Sequence, residues 1–101
     1  MNEVTQVLAA PLSEERQAAQ RVDDFLIDVS TEAARAMKKH SPMHSLHEAY
    51  AVILEEMDEF KAHVWMKQGE RDPQQVYTEL VQLAAMVARC VADCGPDEFK
   101  K

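Results

Sequence analysis

Two groups of side chains have the type and spacing to do chemistry: the acidic run Glu55-Glu56-Met57-Asp58-Glu59 and, further on, Glu79 with Gln82. At roughly 100° per residue, a helix through the run places Glu48, Glu55 and Glu59 on one face. It rotates Glu56 toward an apolar stripe that holds Ile53 and Phe60. The same wheel on a later helix sets Glu79 among Val76, Leu83, Met86 and Cys90, at the edge of a polar strip of Thr78, Gln82, Arg89 and Asp93. A carboxylate there must reach sideways to solvent, or else be protonated, paired with a base or bound to a metal. The short break from Gly69 to Asp72 makes the two helices an antiparallel hairpin, in which Glu59 and Gln82 stand equally far from the turn, and Glu56 and Glu79 lie about one turn to either side. Glu56, Glu59, Glu79 and Gln82 then converge, and such hard oxygen donors suit Mg²⁺ or Mn²⁺ better than zinc. Taken alone, the acidic run also fits the solvated face of an amphipathic helix.

The elements that must hold these groups are marked by local signals. Ser13 with Glu14 and Glu15 reads as a helix start, and Val22, Phe25, Leu26, Val29, Ala33, Ala36 and Met37 follow at helical spacing. Lys38, Lys39 and His40, then Ser41-Pro42, close this first helix, expected over about 13–39. Ser45-Leu46-His47-Glu48 fits a capping box that opens a second helix, with an apolar stripe of Tyr50, Ile53, Leu54, Met57, Phe60 and Val64. That helix is expected to end near Gln68, with Gly69 in a left-handed C′ conformation. Asp72-Pro73 caps a third, which is apolar on nearly every face from Val76 to Ala92 and is expected to stop at Gly95-Pro96. A helix that apolar needs cover on most sides, more than two sister helices provide, so a homo-oligomeric helical bundle is expected. The fold class is therefore all-α: three long helices in a single domain, with a core over about 13–94 and loosely held tails at 1–12 and 95–101.

Composition narrows the function classes. A net charge of −7 excludes a broad basic surface for nucleic acid, and an acidic protein that handles phosphates needs a metal ion between the two. No stretch approaches the ~18 consecutive apolar residues of a membrane span, and the start lacks a signal-peptide pattern, so no membrane partner and a cytoplasmic location are expected. Cys90 and Cys94 stand four apart, a spacing that suits neither a helical disulfide nor a usual zinc site, and they read as reduced structural thiols.

Glu55-Glu56-Met57-Asp58-Glu59 and Glu79-Leu80-Val81-Gln82 together resemble the MazG-like, all-α nucleoside triphosphate pyrophosphohydrolases, whose signature is EExxE followed on the next helix by ExxD. The resemblance covers roughly residues 44 to 94. It looks most like the short members found in phages and bacteria, with Arg71-Asp72-Pro73 between the two elements. It implies metal-dependent hydrolysis of a nucleoside triphosphate to the monophosphate and pyrophosphate, with Mg²⁺ or Mn²⁺ held by Glu56, Glu59 and Glu79. Glu55 or Glu59 would take the proton from the attacking water. Gln82 stands where the family has an aspartate; its amide oxygen can bind a hard cation but brings no charge. Lys61 and Arg89, with Lys67 and Arg71, are candidates to steady phosphate oxygens, or are solvated surface charges.

His44 and His47, close to one turn apart, read as capping or surface residues at a helix start, and Tyr50 and Trp65 as core. Two other functions stay open beside the enzyme. One is a non-catalytic helical oligomer whose metal site has decayed at Gln82. The other is a partner-binding module that uses the apolar third helix.

Overall fold

A computed structural model of the chain describes residues 13–99, apart from the side chain of Asp97. Those residues form α1 (Glu14–Lys39), α2 (Leu46–Val64), a 3-10 turn at Gln68–Glu70, and α3 (Pro73–Glu98). All three α-helices start where a side chain can take an orphan amide. Ser13 Oγ accepts from Arg16 N–H at 3.2 Å, Ser45 Oγ from Glu48 N–H at 3.1 Å, and Asp72 Oδ1 from Gln74 N–H at 3.0 Å. At α2 the return half of the capping box falls one residue early: Glu48 accepts from His44 N–H at 3.2 Å, with His44 Nδ1 also 3.4 Å away. His44 thus serves the helix start, as expected.

The helix ends differ from expectation. α2 stops at Val64, short of Gln68, because Arg71 folds back over its last turn. Its Nε donates to the His63 carbonyl at 3.1 Å and its Nη2 to the Val64 carbonyl at 2.8 Å. The Val64 carbonyl, which a continuing helix would satisfy, is met by the guanidinium instead, and the His63 carbonyl by the guanidinium together with Met66 N–H at 3.3 Å. Gly69 lies inside the 3-10 turn, outside the left-handed region, and does not act as a C′ residue.

α3 runs through Gly95-Pro96 to Glu98, so 95–98 belong to the helix, not to a tail. Proline normally pushes the residue before it out of helical conformation by a clash with that residue's Cβ, and Gly95 has none. Phe99 N–H then reaches the Gly95 carbonyl at 2.9 Å and closes the last turn. The expected tails at 1–12 and 100–101 lie outside the described residues.

α3 packs against both α1 and α2. Contacts join the segment entering α2 to the end of α3, where Met43 N–H donates to Asp93 at 2.9 Å. They join the end of α2 to the beginning of α3, where His63 meets Glu79. On the other flank, Phe25 of α1 sits edge-on to Tyr77 of α3 at 5.9 Å, and the Tyr77 hydroxyl donates to Asp28. The buried core is small: Val29, Ala33 and Ala36 of α1, Met43 and Ala49, then Val81, Ala85, Met86 and Cys94 of α3. Both cysteines are free.

Much apolar surface stays outside this core. Tyr50 is 67% and Trp65 76% exposed, so neither belongs to the core that the described residues form. Tyr50 on α2 and Trp65 just past its end have little cover from the described residues. Leu54 and Met57 share that fate on α2, as do Leu26 on α1 and Val91 on α3. The radius of gyration, 18.1 Å, exceeds the ~13 Å of a compact 100-residue domain. Among the described residues no helix is long and apolar enough to cross a membrane.

Candidate metal centre

α2 and α3 bring three carboxylates together. Glu56, Glu59 and Glu79 each offer one oxygen, and the three oxygens lie within 4.8 Å of one another. Glu56 and Glu79 are half-buried between the helices, whereas Glu59 is exposed. Oε2 of Glu56 and Oε2 of Glu79 are both buried without a hydrogen-bond partner. Orphaned carboxylate oxygens are costly, and three like charges this close make them more so, unless a proton or a cation sits among them.

The electrostatics follow that geometry. Burial, first, and then the charge and hydrogen-bonding contact of Glu59, push the Glu56 carboxyl up to about 7, with Glu79 and Glu55 adding to the rise. Burial also raises Glu79, helped by Glu59 and opposed by His63. Hard oxygen donors, two of them orphaned, fit a cation of the Mg²⁺ or Mn²⁺ type.

This arrangement fixes a pH dependence. Glu56 binds its proton more tightly folded than unfolded, so between the ordinary value of 4.5 and about 7 the folded state holds more protons. Metal-free protein should therefore lose stability as pH rises from about 5 to 8. If the three carboxylates hold a divalent cation, Mg²⁺ should flatten or reverse the trend, because it would bind the ionised form. Thermal melts in chelator and in Mg²⁺ across that range check this, and a metal-free melt that rises steadily with pH would contradict it.

A cleft of about 460 Å³ opens beside the centre. Glu55, Glu56, Glu59 and Gln82 are among the residues that line it, so Gln82 shares the cleft with two of the three carboxylates. Glu79 is not part of the lining; its carboxylate lies to one side, with Oε1 4.0 Å from Nε2 of His63. The centre therefore stands at the edge of the cleft, not in its middle. Glu32 and Arg35 of α1, with His40 just past its end, also line the cleft, and Arg35 is held to Glu32 at 2.6 Å.

The basic candidates separate. Lys61 and Lys67 are exposed and do not line the cleft, and Arg71 is committed to the α2 carbonyls. Arg89 does line the cleft but is no solvated surface charge, being only 5% exposed. Its Nη2 donates to the Ser41 carbonyl at 3.0 Å and lies 3.8 Å from Asp93, while Nε has no partner. The α1–α2 connection, folded onto α3, covers it.

Sequence reasoning missed His63 and the contribution of α1 to the cleft. His63 follows Glu59 by one helical turn and so shares its face, a spacing open to the same argument that grouped the glutamates. No comparable local signal points to Arg35 and His40, whose place depends on how α1 docks. No protein-family model, curated protein or solved structure matches this chain.

Proposed function

We propose that the protein is a metal-dependent hydrolase that converts a nucleoside triphosphate to the monophosphate and pyrophosphate. The observation that carries this reading is the meeting of Glu56, Glu59 and Glu79 from two helices, with two buried oxygens lacking partners, at the edge of a cleft. The likeness of Glu55–Glu59 and Glu79–Gln82 to the MazG-like pyrophosphohydrolases supports the choice of reaction. A divalent cation held there would offset the triphosphate charge and lower the pKa of water for attack at phosphorus. Either Glu55 or Glu59, both on the cleft side, would take the proton, and Gln82 would contribute a neutral oxygen. Arg89 stands on the cleft wall with an unpartnered Nε, but that atom is buried, so a phosphate oxygen would reach it only if the covering α1–α2 connection moved aside. Since nucleoside triphosphates are intracellular, the reading carries a cytoplasmic location with it.

Pyrophosphate release from a panel of canonical and modified nucleoside triphosphates, with Mg²⁺ and with Mn²⁺, tests the proposal. Wild type should release pyrophosphate from at least one substrate. Gln82→Asp should match or exceed it at limiting Mg²⁺, because a carboxylate replaces an amide. Silence from both across the panel would favour a non-catalytic oligomer with a decayed site.

The same reading makes the working unit a homo-oligomeric helical bundle in which α2 and α3 form an antiparallel hairpin. The uncovered apolar residues of all three helices support it. Light scattering should find a dimer or larger at micromolar concentration; a well-folded monomer at high micromolar concentration would overturn it.

A further inference from the structure

His63, in the last turn of α2, is used by neither acidic motif. It lies one turn beyond Glu59 on the same face of the helix. Its Nε2 is 4.0 Å from Oε1 of Glu79, and the two side chains are only 13% and 19% exposed. The backbone that carries it is fixed, because the His63 carbonyl accepts from Arg71 Nε at 3.1 Å. The imidazole is outside the set of oxygens that lie within 4.8 Å of one another, so it stands behind Glu79 and not at the focus of the cluster. A carboxylate that gives one oxygen to a cation needs its other oxygen oriented, and such outer partners decide how well the ligand is aimed. On Glu79 the oxygen facing His63 is Oε1, and the orphan is Oε2.

We propose that His63 is the positioning residue of Glu79: its Nε2–H donates to Oε1 and so aims Oε2 at a divalent cation shared with Glu56 and Glu59. This rests on the metal-centre reading. The separation is about 1 Å beyond an N–H···O hydrogen bond, so the assignment requires the Glu79 carboxylate to turn toward the imidazole when the cation binds. Glu79 thereby holds a hydrogen bond on one oxygen and the cation on the other, which satisfies both.

Mn²⁺ titration by calorimetry and the EPR spectrum of bound Mn²⁺ in wild type, His63→Leu and His63→Gln test this. His63→Leu removes the donor and should weaken Mn²⁺ binding about 10–100-fold with an altered spectrum. His63→Gln keeps an N–H and should recover most of the affinity. Equal affinity and an unchanged spectrum in His63→Leu would overturn the proposal while leaving the metal centre standing. Absence of Mn²⁺ and Mg²⁺ binding by wild type would instead remove the centre itself, and the proposal with it. Should His63→Leu fail to fold, ¹⁵N spectra of the wild-type imidazole decide the matter. With Mg²⁺ bound, Nε2 must carry the proton, and a spectrum with Nε2 unprotonated rejects the assignment.

Discussion

Glu79→Gln should weaken Mg²⁺ and Mn²⁺ binding by at least about 100-fold and abolish pyrophosphate release, yet leave the metal-free protein more stable than wild type. Loss of an outer partner alone costs metal sites about 10–100-fold, so loss of a charged ligand falls at or beyond the upper end of that range. The gain in stability has the same origin. Glu79 is half-buried beside Glu59, and both burial and that neighbour raise its pKa, so ionised Glu79 opposes folding when no cation is present. A neutral amide removes the conflict. Calorimetry and melts in chelator at pH 8 give the two readings together. Unchanged metal affinity would remove Glu79 from the centre, and a lower metal-free melting temperature would show that its carboxylate is stabilised by something other than a cation.

Arg89→Met should destabilise the fold by about 3 kcal/mol, the lower end of the loss expected when one member of a buried ion pair is removed. Arg89 and Asp93 have side chains only 6% and 8% exposed, at 3.8 Å. Without the guanidinium, Asp93 keeps the Met43 amide but loses its counter-charge, and the Ser41 carbonyl loses its donor. Arg89→Met combined with Asp93→Asn should regain much of the loss, because the amide oxygen still accepts from Met43 and no lone charge remains. Urea unfolding at one fixed protein concentration measures both variants. A loss below about 0.5 kcal/mol, the range of an ordinary surface change, would mean that Arg89 is not buried in solution.

What was legible in the sequence was what neighbours in sequence decide. Ser13, Ser45 and Asp72 announce their helices because each accepts a hydrogen bond from an amide two or three residues on. The meeting of Glu56, Glu59 and Glu79 was legible for a related reason: helical pitch and a short connection fix the relative height of side chains on adjacent helices. The end of α2 was not, since Arg71 sets it from beyond the turn, and neither was the passage of α3 through Pro96, which depends on the glycine before it. Arg89 read as surface because the segment that covers it, at Ser41 to Met43, lies some fifty positions earlier in the chain. Tyr50 and Trp65 read as core on apolar character alone, and the described residues leave both largely exposed.

The Arg71 clasp bears on the order in which the chain assembles. Its bonds to the His63 and Val64 carbonyls span only 8 and 7 residues, so the α2–α3 corner closes at small loop entropy. The ties that depend on α1 and its connection, Tyr77 to Asp28 and Arg89 to Ser41, span 49 and 48. Local contacts form before distant ones repay their closure, so the corner is the natural nucleus and α1 docks onto a preformed pair. Opening runs in the reverse sense, and the amides of α1 should exchange with deuterium before those of α3. The half of the molecule that carries the carboxylates is then also the half that holds together when the other lets go.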